Sequence, residues 1–305
     1  MLEQKINRVK KFSLILSIFI FTNILFGPLV RATDSGLACP DWPLCFGKVL
    51  PPPEFRIWME VGHRFYSMFL GFFILGLFIF IMKDLELRKR FGLLSLLSLL
   101  VLVLQVFLGK LTVTLMLNPA TVNSHLLNAI LLFAIIITIF HKSSLLTENP
   151  NRTSVFPFSS ILKKENLFLG LLLIIVYFQL LAGGRVSSNY AGLACSDFPT
   201  CQGEFFPKME GPVRIQMEHR ILAYLISILV IFQFAVSIFK NYSKKLKIYF
   251  RMSLYVLGLQ IILGVSNVIF KLPVLVTAMH TGMGVLLFIL IYSSYYRKLS
   301  EEATP

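Results

Sequence analysis

Eight stretches of the 305-residue chain are apolar for long enough to cross a bilayer, a distance that takes roughly 20 helical residues. They lie near 11–30, 59–82, 92–116, 121–140, 166–185, 215–239, 248–270 and 273–295. The expected fold class is an all-α polytopic membrane protein with eight transmembrane helices. Composition agrees: 56% of residues are hydrophobic, 14% are charged and mean hydropathy is +0.76, which excludes an ordinary soluble domain. The net charge of +14 could suggest nucleic acid, but the basic residues gather at the ends of apolar runs and on alternate sides. One side receives Lys5, Arg8, Lys10 and Lys11, then Lys83, Arg88, Lys89 and Arg90, then Lys142, Arg152, Lys163 and Lys164. Lys240, Lys244, Lys245, Lys247, Arg251, Arg297 and Lys298 follow on that side. The positive-inside rule makes it cytoplasmic, with both termini inside a cell membrane and no role for nucleic acid. The first run is too long for a usual signal core, and its counterpart near 166–185 is internal, so it reads as a span.

The chain repeats itself. "GLACPDWPLC" at Gly36–Cys45 returns as "GLACSDFPTC" at Gly192–Cys201. Cys39 and Cys195, Cys45 and Cys201, and His63 and His219 are each separated by 156 residues. "QVFLG" from Gln105 returns as "QIILG" from Gln260 at an offset of 155, which His125 and His280 share. The reading is two pseudo-symmetric four-helix bundles, 1–145 and 166–305, joined by a cytoplasmic linker at 146–165 that contains Pro150 and Pro157. Four spans per unit give both the same orientation, so the repeat axis runs along the membrane normal. The sequon at Asn151 falls in this inner linker and carries no weight.

Of five histidines, His141 sits at the inner end of its span beside Lys142 and reads as interfacial. His63, His125, His219 and His280 each open a span that runs inward, at matched depth below the outer surface. A lone intramembrane histidine is often a hydrogen bond between helices. Four at matched depth, paired by duplication, point instead to iron: two histidines on facing helices of a bundle can clamp a haem from both sides. No carboxylate or thiolate joins them at zinc or non-haem iron spacings. Gly282 and Gly284, just after His280, would let a flat ring approach that helix.

The units differ next to the first histidine. "WMEVGHR" (Trp58–Arg64) aligns with "RIQMEHR" (Arg214–Arg220), so Glu60 is matched by Gln216. Glu60 shares a helix face with His63. It is either a catalytic carboxylate or an interfacial acid paired with Arg64 at i+4. Arg64 and Arg220 either contact haem propionates or snorkel to the interface. The cysteine loops face outward, where disulfides persist, and the natural pairing is Cys39–Cys45 and Cys195–Cys201. Each bridge is either a staple shaping a lid or a redox-active pair.

Together, "GLACPDWPLC", "EVGHR", "QVFLG" and the fourth-span histidine, each with a second-half echo, resemble the haem A synthase family over nearly the whole chain. The resemblance implies oxidation of a methyl group of haem O to the formyl group of haem A. It implies that His63 and His125 hold the substrate haem, that Glu60 is needed for catalysis, and that His219 and His280 hold a cofactor haem b. It also implies a haem O synthase as supplier and haem-copper oxidase assembly as consumer. The second loop departs from the first, with "SDFPT" in place of "PDWPL". No GxGxxG, P-loop or flavin fingerprint is present, so reducing equivalents come from an external donor, quinol or a thiol protein. The alternatives are a di-haem b-type electron-transfer protein and a quinone-linked thiol oxidoreductase.

Overall fold

The computed structural model describes residues 2–148 and 158–302. Pro150, Asn151, Arg152 and Pro157 of the linker lie outside the described residues. The described chain is helical: α1 (Leu2–Ala32), α2 (Phe55–Met82), α3 (Leu85–Thr114), α4 (Pro119–Glu148), the short α5 (Phe158–Ile161), α6 (Lys164–Ser188), α7 (Gly211–Phe239), α8 (Lys244–Ile269) and α9 (Val274–Glu302). All except α5 are long and apolar enough to cross a membrane.

The helices outrun the apolar stretches that mark them. The expected 11–30 becomes Leu2–Ala32, and 121–140 becomes Pro119–Glu148, so His141 lies within α4. Lys, Arg and Glu are good helix formers, so the helix continues after the hydrophobic run stops. Local signals set the ends. The Asp84 side chain accepts from the Glu86 and Leu87 amides, both at 3.0 Å, and caps α3. Ser243 caps α8 through the Leu246 amide at 3.2 Å. Pro119 and Pro212 stand in the first turns of α4 and α7, where a missing N–H costs nothing.

The chain divides into two compact units, residues 1–155 and 156–305. In the first, α1 packs on α2 and α4, and α3 packs on the same two helices. That places α2 and α4 diagonally opposite. In the second, α6 and α8 each pack on α7 and α9, so α7 and α9 are the diagonal pair. Helix packing in lipid relies on close contact rather than hydrophobic expulsion. The core accordingly mixes Leu16, Ile74, Leu77 and Ile136 with buried Ser13, Ser17, Ser95 and Ser98. Ser13 and Ser17 donate to the carbonyls of Val9 and Ser13 at 2.8 and 2.7 Å, which satisfies them within α1.

Candidate functional site

Each unit carries its site near the end where the cysteine loop sits. His63 follows the start of α2 by eight residues and His219 follows the start of α7 by eight. His125 and His280 follow the starts of α4 and α9 by six. At about 1.5 Å per residue all four lie roughly 9–12 Å along their helices. Because they come from diagonal helices, each pair faces across the interior of its own unit.

A glycine on a neighbouring helix backs every one of these rings. A Cβ on Gly27 would stand 3.9 Å from His63 Nε2, and one on Gly109 would stand 3.2 Å from His125 Cε1. In the second unit Gly183 faces His219 Cε1 at 3.1 Å and Gly264 faces His280 Cε1 at 3.0 Å. Gly27 and Gly183 share the 156-residue offset, and Gly109 and Gly264 share the 155-residue offset, so the slots are duplicated with the histidines. Sequence reasoning missed this pairing, although "FLG" and "ILG" before each fourth-helix histidine carried the signal. A Cβ on Gly284 would meet Leu180 at 3.2 Å and Gln260 Nε2 at 3.3 Å.

The residues fit a haem held from both sides. The His219 and His280 ring centroids are 6.3 Å apart and the rings are near-perpendicular. Two imidazoles on one metal, each through a bond of about 2 Å, stand with ring centres roughly 6 Å apart. The Nδ1 atoms of His125, His219 and His280 are buried with no hydrogen-bond partner. Among the described residues no group of three or more His, Cys, Asp or Glu side chains could hold a bare metal ion. Gln105 and Gln260 approach His125 and His280 at 3.2 and 3.4 Å between Nε2 atoms.

The cysteine loops are tied to the histidine helices. Cys39 bonds to Cys45 and Cys195 to Cys201, with Cα separations of 4.9 and 4.6 Å. The first bridge packs on Ile57 and Val61 of α2, the second on Met217 of α7, and all four cysteines are at most 2% exposed. Trp42–Pro43 and Phe198–Pro199 are both cis. A tight turn follows each bridge, with φ of 54° at Phe46 and 67° at Gly47, and 57° at Gln202 and 83° at Gly203. Positive φ at both central residues marks a type I′ turn and explains the glycine. Leu117, in the turn between α3 and α4, lies 3.4 Å from a Cβ placed on Gly36, and Leu272 lies 3.0 Å from one on Gly192. The glycine of each "GLAC" thus admits a leucine from the opposite turn of its own unit.

Two aspartates that sequence reasoning passed over organise these turns. Asp41 accepts from the Phe46 and Gly47 amides at 2.7 and 2.8 Å, and Asp197 from Gln202 and Gly203 at 2.7 and 2.9 Å. The Gly47 and Phe46 amides hold the Asp41 carboxyl below its ordinary value. The Thr200 hydroxyl, then the Gly203 and Gln202 amides, bring Asp197 down to about 2.

Glu60 and its neighbour Arg64 differ from their second-unit counterparts. Glu60 is 4% exposed. Its Oε2 accepts from the Cys39 amide at 2.8 Å and its Oε1 from Arg64 at 2.5 Å. Arg64 also donates to the carbonyls of Asp41 and Leu44 at 2.9 and 2.6 Å. Arg220 donates to the carbonyls of Thr200, Asp197 and Cys195 at 2.8, 2.9 and 3.1 Å. Each arginine thus holds its own cysteine loop. Gln216 is buried with its Oε1 unpartnered. Glu218 turns away, to Arg185 at 3.0 Å and Arg214 at 2.7 Å.

Residues 10–292 match the COX15-CtaA family, described as cytochrome oxidase assembly protein. The chain is similar to a "Heme A synthase" of Shewanella oneidensis, 29% identical over 92% of this chain and 93% of the relative. It is 31% identical to a "Heme A synthase" of Halalkalibacterium halodurans over 73% of this chain and 74% of that one. A "Heme A synthase" of Bacillus licheniformis is 28% identical over 96% of this chain and 99% of its own length.

Proposed function

Since the chain belongs to the COX15-CtaA family of cytochrome oxidase assembly proteins, we propose that it is a haem A synthase, a membrane oxidoreductase that converts a methyl group of haem O to the formyl group of haem A for haem-copper oxidases. The observation that carries the assignment to this chain's own residues is the duplicated histidine pair, each ring backed by a glycine and each pair facing across one unit. His63 and His125 hold the substrate haem in the unit at 1–145. His219 and His280 hold a resident haem b in the unit at 166–305, and 146–165 is the linker. Haem b supplies one-electron transfer when bound.

The remaining steps fall to the protein. Turning a methyl group into a formyl group breaks C–H bonds and so requires protons to be moved, and Glu60 is a fixed carboxylate on the same helix face as His63, one turn away. The Cys39 amide and Arg64 orient both of its oxygens. Gln216 occupies the same place in the second unit with no charge, which suits a cofactor site that handles no protons. Buried bridges disfavour a thiol oxidoreductase, because an attacking thiolate could not reach either disulfide without the loop opening. The positive-inside pattern puts both cysteine loops outside, and each histidine pair lies toward the loop end of its own helices, which disfavours an electron carrier with haems near opposite faces.

The test is the haem content of the purified protein, made together with a haem O synthase. Wild type should yield haem b and haem A. Glu60→Gln should keep haem b and lose haem A by roughly 100-fold, the scale of a positioned acid or base. His219→Ala should deplete haem b. Protein without haem, or near-normal haem A from Glu60→Gln, would overturn this assignment.

A further inference from the structure

A buried polar chain runs to His125 and has no match at His280. Asn128 is 7% exposed and stands one turn along α4 from His125, on the same face. Its Nδ2 donates to the Val101 carbonyl at 3.0 Å and to Gln105 Oε1 at 2.8 Å. Gln105 Nε2 lies 3.2 Å from His125 Nε2. One group sets the direction of the whole chain. A main-chain carbonyl can only accept, so the Asn128 atom facing Val101 is its NH2 group. That NH2 also faces Gln105, which must present its carbonyl oxygen. The Gln105 NH2 is therefore turned to His125, so Nε2 of the ring accepts and the ring proton lies on Nδ1.

In the second unit Val256, Gln260 and His280 repeat Val101, Gln105 and His125 at the 155-residue offset, but Asn128 is matched by Met283. A thioether donates no hydrogen bond. Gln260 Nε2 lies 3.4 Å from His280 Nε2, and Gln260 Oε1 has no partner. Nothing there sets which way the amide points.

We propose that Asn128 and Gln105 form a release latch on His125, which lets the first-unit site exchange its haem while the second retains one. The proposal rests on the reading of His125 as a haem ligand. The Nε2 lone pair serves either an amide N–H or an iron, never both. An iron that binds through Nε2 must displace Gln105, and Asn128 sets how firmly Gln105 competes. A site that takes up substrate and discharges product benefits from such a competitor. A resident cofactor does not, and with Met283 in place of Asn128, Gln260 competes at His280 without an anchor.

The experiment is a titration of the detergent-purified full-length protein with ferric hemin, followed by its absorption, with one affinity read for each site. His125→Ala identifies the first-unit site by abolishing binding there. Asn128→Met should tighten hemin at that site by about five-fold, the worth of one ordinary hydrogen bond. Gln105→Leu should tighten it similarly, and Met283→Asn should weaken the second-unit site by a comparable factor. Unchanged binding at the other unit certifies that each variant is folded. Unchanged or weaker first-unit affinity in both Asn128→Met and Gln105→Leu overturns the latch and leaves the ligand assignment standing. Unaltered binding in His125→Ala overturns the ligand assignment, and the latch with it.

Discussion

At the scale of single residues, α8 offers a controlled comparison. Gly264 faces His280 with 3.0 Å to a Cβ that is not there, whereas Gly258 on the same helix has nothing within 4 Å. Gly258→Ala should be neutral or stabilise the helix by up to ~1 kcal/mol, since only the intrinsic preference changes. Gly264→Ala should push the imidazole from its slot and lower bound haem b at constant protein yield, as read from the reduced-minus-oxidised spectrum. Equal haem in the two variants would remove the cradle from the argument. Asp197 gives a pH prediction. Its carboxyl is ordinarily near 3.8 and is lowered to about 2 in the folded loop. A depressed carboxylate contributes its stabilisation fully above the ordinary value and loses it as pH falls through the folded one. The second cysteine loop should therefore loosen between about pH 4 and about pH 2, seen as faster amide exchange at Gln202 and Gly203 after correction for the intrinsic rate. Asp197→Asn should abolish that pH dependence.

At the scale of elements, the first cysteine loop and α2 behave as one piece. The bridge packs on Ile57 and Val61, the Cys39 amide donates to Glu60, and Arg64 collects the loop carbonyls, all on the helix that bears His63. Replacing both Cys39 and Cys45 by Ser removes a short covalent loop worth about 2 kcal/mol in chain entropy. The expected result is a loop that becomes protease-sensitive before α2 melts, together with weaker haem A formation, because Glu60 loses the amide that orients Oε2. The same replacement at Cys195 and Cys201 should open the second loop but spare haem A formation more, since Gln216 accepts nothing from the Cys195 amide. Limited proteolysis and haem analysis of the two double variants would decide, and an equal loss of haem A in both would argue against a special role for Glu60.

At the scale of the whole molecule, the outstanding property is sidedness. Within each unit most basic residues fall at the end of the helices away from the cysteine loop: Lys5 at the start of α1, Lys83 and Arg90 around the α2–α3 turn and Lys142 in α4, and in the second unit Lys240 and Lys244 around the α7–α8 turn and Lys298 in α9. Several are engaged there. Lys5 pairs with Asp84 at 2.5 Å, Lys240 with Glu165 at 3.0 Å, and Lys298 with both Glu165 and Glu302. Positive charge resists translocation, so this end should be cytoplasmic and the cysteine loops outside. Reporter fusions at residue 155 and after Pro305 should both report the cytoplasm, and a periplasmic signal from either would overturn the topology.

The eight spans, the duplication and the four histidines were legible in the chain because they are properties of local hydrophobicity and of spacing. Apolar runs of this length have few alternatives in lipid, where the backbone must satisfy itself. Helix ends were less legible, because polar residues that lie outside the hydrocarbon still favour the helix. Apart from the two disulfides and the Glu60–Arg64 pair, what the side chains touch was not legible. The Glu60–Arg64 pair could be expected from its i,i+4 spacing, but Arg64's other partners, the Asp41 and Leu44 carbonyls, come from a separate loop. Gly27, Gly109, Gly183 and Gly264 looked like ordinary membrane-helix glycines until packing set each against an imidazole. Asp41 and Asp197 recur in the loop repeat at the 156-residue offset, but the turns they close lie five and six residues on and showed only in the fold. Asn128 gained its meaning only when α3 brought Val101 and Gln105 beside it. Such contacts join residues far apart in the chain, and only the packing of diagonal and neighbouring helices decides which of many polar groups meet.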